Sequence, residues 1–338
     1  MWPEVELSTP GDLTESQIKQ VLKVGSKQRI LEPTFNNSTH IIMARHNIFQ
    51  GMGVALVTPF DASGNVDEVS LRQLLQFHLF EGTDFLCILG TTAETPCLTP
   101  VEKETIKRIA VEEVGGRIPL LLGCGGNNTA AVVEYLQQTD LTGFAGVLIV
   151  TPFYNKPSQE GLYQHFVAVA QASPLPVVLY NVPGRTGVNL EAKTTLRIAY
   201  ECENVVAVKE ASGRIEQIEE IIRLAPEGFE VLSGDDAITF ELMTIGAAGV
   251  ISVIGNAYPK EFTQMIHASK QGLWSESLAL HRGFSPLCPL MTADGNPARI
   301  KSLLSIHGKI ANHLRLPLVP ATDATTEKLR QADEQFYK

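Results

Sequence analysis

Val205-Val206-Ala207-Val208-Lys209-Glu210 opens with four consecutive apolar residues, three of them valine, and closes on two charges. So short a run of β-branched residues, apolar at successive positions, suits a strand covered on both faces, as in a parallel sheet. Runs of the same kind start near Gly53, Phe85, Ile118, Gly146, Pro176, Phe229 and Gly249, at steps of 20 to 33 residues along the chain. Helical patterns fill the gaps. Thr99-Pro100-Val101-Glu102 reads as a capping box with proline at the first helical position. The helix it opens carries Ile106, Ile109, Ala110 and Val114 on one stripe, and Ile215, Ile218, Ile222 and Ala225 repeat that spacing after the sixth run. An open doubly wound sheet would need about five such units, so eight in order predict an α/β fold of the (β/α)8 TIM barrel type.

The flanks differ from this core. Residues 1–47 lack a sustained apolar period and include the polar stretch Pro33–His40, so they read as an N-terminal appendage with at most one short helix around Glu15–Val24. Met43 also suits a translation start, because Ala44–Ile48 leads directly into the first strand. The catalytic barrel is expected over 48–271. Residues 272–338 follow as a C-terminal helical extension, with segments near 273–285, 297–314 and 322–336.

Composition narrows the function. With 27 Lys+Arg against 37 Asp+Glu the net charge is −10, and no basic block suits a nucleic-acid backbone. Apolar runs such as Gly146–Val150 are far shorter than a membrane span, and the first residues show neither a basic nor an apolar leader segment. Five scattered cysteines without a C-x-x-C pair fit reduced thiols, and a cytoplasmic location is expected. The eight histidines show no ligand spacing, Gly123-Cys-Gly-Gly-Asn-Asn lacks the third glycine of a dinucleotide loop, and no P-loop or G-x-S-x-G is present. Asp235-Asp236, directly before a helix, suits capping better than metal binding. No metal and no organic cofactor is expected.

Barrel chemistry sits at the C-terminal ends of the strands. There the chain places Gly90-Thr-Thr-Ala-Glu94, Thr151-Pro-Phe-Tyr-Asn155, Tyr180-Asn-Val-Pro-Gly-Arg-Thr-Gly187, Lys209-Glu210, Ser233-Gly-Asp-Asp236 and Gly249–Val253. Lys209 is the sharpest position. An amine partly removed from water more readily supplies the neutral nucleophile of Schiff-base chemistry. The same place also suits a lysine that snorkels from the strand end or pairs with Glu210. Tyr180 and Tyr154 could pass protons or simply pack at the rim. Thr91 and Thr92 offer hydroxyls and N–H groups to a carboxylate, or ordinary turn chemistry. Arg185, between Gly184 and Gly187, could fork a carboxylate or pair with a surface acid.

Taken together, these segments resemble the pyruvate-dependent class I aldolase/lyase superfamily, most closely the dihydrodipicolinate synthase family. The resemblance spans about residues 48–338. It rests on Val57-Thr-Pro-Phe60, the Gly-Thr-Thr-x-Glu segment, Thr151-Pro-Phe-Tyr-Asn-Lys-Pro-Ser-Gln-Glu-Gly-Leu-Tyr163, Tyr180–Gly187, Val208-Lys-Glu-Ala-Ser-Gly213 and Ser233–Asp236, all in order. It implies that Lys209 forms the Schiff base with pyruvate, that Thr92 and nearby N–H groups hold its carboxylate, and that Tyr180, Thr91 and Tyr154 relay protons, Tyr154 acting across a dimer interface. It further implies that Arg185 binds the carboxylate of L-aspartate 4-semialdehyde and that Gly234 and Ile251 line the pyruvate pocket. The implied assembly is a homotetramer built from tight dimers.

Relatives with the same lysine include N-acetylneuraminate lyase and 2-keto-3-deoxy sugar acid aldolases, which resemble this chain less after Tyr180. A non-catalytic barrel is disfavoured by the intact residue set. Ala93 stands where the family usually has glycine, and residues 1–47 have no counterpart. At the positions of the family's lysine-inhibition pocket the chain has Pro100, Lys103, Ala131 and Phe153, with Asn127 retained. A cation at Lys103 and no acid at Ala131 should weaken a site for cationic lysine.

Overall fold

The computed structural model describes residues 48–292 and 295–336. The appendage expected over residues 1–47, and with it the question of Met43, lies outside them. Eight parallel strands, β1 (Gly51–Ala55), β2 (Phe85–Ile88), β3 (Leu120–Gly123), β4 (Gly146–Val150), β5 (Val177–Asn181), β6 (Val205–Glu210), β7 (Glu230–Ser233) and β8 (Gly249–Ser252), close in sequence order into a barrel. Every strand start falls within two residues of its expected place, and β8 pairs with β1 from Gly51↔Gly249 to Val54↔Ser252. The α/β barrel read from the eight runs is the observed fold.

Outside the strands lie α1 (Glu68–Phe80), α2 (Pro100–Val114), α3 (Thr129–Gln138), α4 (Gln159–Ala172), α5 (Ala192–Glu201), α6 (Ile215–Leu224), α7 (Thr239–Thr244) and α8 (Pro259–Lys270). The box that opens α2 is formed as expected, with Thr99 accepting from the Glu102 N–H and the Glu102 carboxylate accepting from the Thr99 N–H. The tail adds α9 (Trp274–Phe284), α10 (Cys288–Thr292), α11 (Ala298–Ile306) and α12 (Asp323–Phe336). The helix expected over 297–314 is therefore shorter. Gly308 stands at φ 66, the left-handed conformation that ends helices, and the chain beyond it runs irregularly to residue 322.

Strand alternation sorts the core into two shells. Met52, Val54, Leu86, Ile88, Leu122, Ile149 and Val250 pack outward with the helices, whereas Ala55, Phe85, Cys87, Leu121, Leu148, Val178, Leu232 and Ile251 fill the interior. Phe49 closes the floor edge-on against Phe85, with ring centroids 5.4 Å apart. The interior is a packed core, so a ligand has room only at the rim.

Strand β6 breaks the alternation once. Val177 pairs with Val205 but Val178 pairs with Ala207, leaving Val206 as an extra residue. Val205 and Val208 accordingly belong to the outer shell, and Val206 and Ala207 to the inner one. A one-residue insertion reverses the parity of everything beyond it. Strict alternation from Val205 would turn Lys209 toward the helices; the bulge turns it inward.

Candidate active site

Lys209 and Tyr180 sit opposite one another on adjacent strands. Both are buried, and the Lys209 ammonium lies 4.6 Å from the centroid of the tyrosine ring. Glu210, the next residue, faces the other way, so the pairing with Lys209 considered from sequence is not formed. Its carboxylate accepts from Asn181 Nδ2 at 2.7 Å, Gln217 Nε2 at 3.1 Å and Ser212 Oγ at 2.6 Å. Burial raises the Glu210 pKa above the ordinary carboxylate value, opposed by these donors. Cys87, facing inward from β2, is pushed up to about 11 by burial, with the nearby Lys209 charge pulling the other way.

Close approach around the lysine stem requires the glycine of Ser233-Gly-Asp-Asp236. A Cβ on Gly234 would stand 3.0 Å from Lys209 Cε and 2.8 Å from Ala211 Cβ. Ile251, on β8, is fully buried in the same interior shell as Tyr180. Asp235 caps the turn that follows, accepting from the Ala237 N–H at 3.0 Å. Asp236 does not cap. It reaches across to accept from the N–H groups of Val253 and Ile254, at 2.9 and 2.7 Å, where β8 ends. The capping expected of both aspartates therefore holds for Asp235 alone, because the Asp236 side chain is taken by the backbone at the end of β8.

A cavity of about 620 Å³ opens at the rim against Tyr180, lined among others by Thr91, Val182, Arg185 and Thr186, with Lys209 on the next strand just outside its lining. Arg185 is exposed on a four-residue helical turn, Pro183–Thr186, and makes no ion pair among the described residues. It is available to an anionic ligand. The same cavity extends between α2 and α3 to Lys103, Asn127, Ala131 and Phe153.

Thr92 is buried beside this space and accepts a hydrogen bond from Asn296 Nδ2 at 2.8 Å. Tyr154 is different. It is 88% exposed, stands at φ 73, and is not among the residues lining the cavity. Within one chain, Lys209, Tyr180, Gly234 and Ile251 come together, Thr91, Thr92 and Arg185 border them, and Tyr154 points away.

Sequence reasoning missed several groups here. Asn296 comes from the tail, and nothing in its local sequence pointed to Thr92. Glu94 stood inside the Gly-Thr-Thr-x-Glu segment without a role, and its partner is Lys301, whose ammonium donates to Glu94 Oε1 at 2.5 Å. Both side chains are fully buried, and burial lowers the lysine pKa to about 8 against the pull of the glutamate. Among the described residues no cluster of three or more His, Cys, Asp or Glu could hold a metal ion, and no helix is long and apolar enough to cross a membrane.

The model of the dihydrodipicolinate synthetase family matches residues 48–335. The chain belongs to that family. The 4-hydroxy-tetrahydrodipicolinate synthase of Phocaeicola vulgatus is 56% identical over 281 residues, 83% of this chain and 95% of the relative. That of Parabacteroides distasonis is 54% identical over 287 residues, 85% and 97% of the two chains. Among solved structures, dihydrodipicolinate synthase from Thermotoga maritima superposes with a TM-score of 0.84 at 41% identity, covering 86% of this chain and 99% of that one. Membership in the dihydrodipicolinate synthetase family thus covers the whole barrel and nearly all of its tail, the part in which the site just described is built.

Proposed function

We propose that the chain is a Schiff-base-forming lyase, condensing pyruvate with L-aspartate 4-semialdehyde to give 4-hydroxy-tetrahydrodipicolinate in the route to diaminopimelate and lysine. The observation that carries this is the buried, inward-facing Lys209 stacked on Tyr180 below an open rim. Lys209 Nζ attacks the C2 carbonyl of pyruvate, and loss of water leaves an iminium. The cationic nitrogen is an electron sink, so a C3 proton can leave near neutral pH and an enamine forms. The enamine carbon attacks the aldehyde, and the amine of the semialdehyde then closes on C2 and expels Lys209. One water is lost overall.

The remaining residues bind and relay. Thr92 and neighbouring backbone N–H groups hold the pyruvate carboxylate, and Arg185 offers its guanidinium fork to the carboxylate of the second substrate. Tyr180 and Thr91, both at the cavity wall, pass protons. Tyr154 completes the relay from a neighbouring copy, a role supported by its exposure and by a left-handed φ that projects the ring off its own rim. Such sharing makes the tight dimer the minimal active unit, two of which form a homotetramer acting in the cytoplasm. Where the cavity runs between α2 and α3, the set Lys103, Asn127, Ala131 and Phe153 supports weak inhibition by lysine.

The test is pyruvate consumption by the purified full chain given L-aspartate 4-semialdehyde, with a lysine titration of the same assay. Condensation lost in Lys209→Ala and little affected by lysine is expected. Cleavage of N-acetylneuraminate or a 2-keto-3-deoxy sugar acid without condensation would overturn the activity, and half-inhibition at submillimolar lysine would overturn the insensitivity.

A further inference from the structure

The rim turn that carries Thr91 and Thr92 is bracketed by two non-glycine residues in the left-handed region, Leu89 at φ 57 and Glu94 at φ 55. Each such residue costs on the order of 1–3 kcal/mol and persists only where its surroundings over-determine it. Part of that determination is local: Thr95 Oγ1 donates to the carbonyls of Leu89 and Gly90, both at 2.9 Å, and the Ala93 and Glu94 N–H groups donate to the Gly90 and Thr91 carbonyls. From the barrel, Thr58 Oγ1 donates to the Ala93 carbonyl at 2.8 Å. The Glu94 carboxylate is held by the tail, more than 200 residues away in sequence. Lys301 Nζ donates to Glu94 Oε1 and, at 2.8 Å, to the His313 carbonyl. The Arg315 N–H donates to Glu94 Oε2 at 3.1 Å. The Arg315 guanidinium holds Glu102 and the carbonyls of Gly64 and Cys97, so the segment delivering that N–H is itself fixed. Both cations stand over the Phe60 ring, Lys301 Nζ 4.2 Å and the centre of the Arg315 guanidinium 4.4 Å from its centroid.

A buried ion pair is a poor source of net stability compared with apolar packing of the same volume, so its presence calls for another account. What it does supply is position: the two Glu94 carboxylate oxygens accept from Lys301 Nζ and the Arg315 N–H, and these bonds hold the residue immediately after Thr91–Ala93.

We propose that Glu94 and Lys301 are positioning residues for the pyruvate site, the tail acting through this buried pair to hold the Thr91–Ala93 turn in the conformation that receives the substrate carboxylate. Neither side chain touches substrate. The proposal rests on the Lys209 Schiff-base reading and deepens it, making the C-terminal extension part of the carboxylate site rather than a covering for the barrel. A pair that only stabilised the fold would, when removed, lower the amount of folded enzyme and leave the affinity of each folded molecule unchanged.

The experiment measures the pyruvate concentration giving half-maximal borohydride trapping, together with KM for each substrate, in full-length Lys301→Met, Glu94→Gln and the double variant. Far-UV circular dichroism and thermal melting report the folded fraction. The double variant removes both charges, so it keeps the test readable where the single Lys301→Met leaves a buried charge and fails to fold. The expected result is a rise of about tenfold or more in the pyruvate needed for half-trapping, equivalent to about 1.4 kcal/mol. KM for L-aspartate 4-semialdehyde should stay within about twofold. Folded variants whose half-trapping concentration matches that of the parent would overturn the positioning role. The unaltered chain is the control: absence of an adduct there indicts the Schiff-base reading, whereas a normal adduct with unchanged variants indicts only the proposal.

Discussion

Strands β5 and β6 lie side by side and each delivers one reactive side chain to the interior, but they do so differently. In β5 the alternation is unbroken: Val177 and Leu179 face the helices, Val178 and Tyr180 face inward. In β6 the parity is reset by the extra residue Val206, and only then does Lys209 come to stand opposite Tyr180. Strand periodicity alone places the tyrosine. The lysine needs an irregularity that costs one register of pairing and returns the amine to the tyrosine's side. The bulge also sends Glu210 outward, where it accepts from Asn181 of β5 and locks the two strand ends together beneath the loop that bears Arg185.

Resetting strand parity is the strongest way to break this comparison. Exchanging Val208 and Lys209 puts the lysine at a position that faces the helix layer, abolishing borohydride-dependent attachment of pyruvate in whatever fraction folds, whereas deletion of Val206 takes out only the extra residue and leaves Lys209 opposite Tyr180 with its adduct retained. Intact-mass analysis of both variants checks it; a parent-level adduct in the exchanged variant, or its loss from folded deletion variant, would show that strand parity does not set the lysine's direction. Crowding the stem is gentler. Gly234→Ala puts a methyl 3.0 Å from Lys209 Cε with Ala211 Cβ closer still, so the lysine must shift or the turn must give. A fall of about tenfold or more in kcat/KM for pyruvate is expected, with thermal stability lowered by about 1–3 kcal/mol.

The smallest effect concerns Glu210. Its partners are neutral donors, so Glu210→Gln should change stability at neutral pH by about 1 kcal/mol or less. The informative part is the sign of the pH dependence. A carboxyl whose folded pKa is raised above 4.5 binds its proton more tightly in the native state. Its contribution is complete below 4.5 and is lost as pH rises through the folded value. The parent should therefore gain stability relative to Glu210→Gln as pH falls from neutral toward 4.5, measured by denaturant melts at several pH values. The opposite slope would mean that the buried carboxylate is held ionised.

The same contrast explains what could be read in advance. Continuous apolar runs and a capping box are local, so the eight strands, the barrel and α2 were legible, as were the rim segments once the strand ends were known. Lys209 and Tyr180 could be singled out because each lies at a strand end, whereas Gly234 was reached only through the family resemblance. The bulge was invisible, since Val205-Val206-Ala207-Val208 looks the same with either parity. Asn296 and Lys301 were missed for another reason. They meet Thr92 and Glu94 across 204 and 207 residues, and no local pattern encodes a contact between a tail and a turn so distant. Asp235 and Asp236 show the same limit at short range, one capping its own turn and its neighbour bridging to β8.

The most direct measurement is peptide mapping by mass spectrometry after borohydride reduction of the intact enzyme with pyruvate. A single reduced adduct on the peptide containing Lys209, absent from Lys209→Ala, is the predicted result. An adduct on any other lysine, or an unmodified Lys209 at saturating pyruvate, would contradict the account.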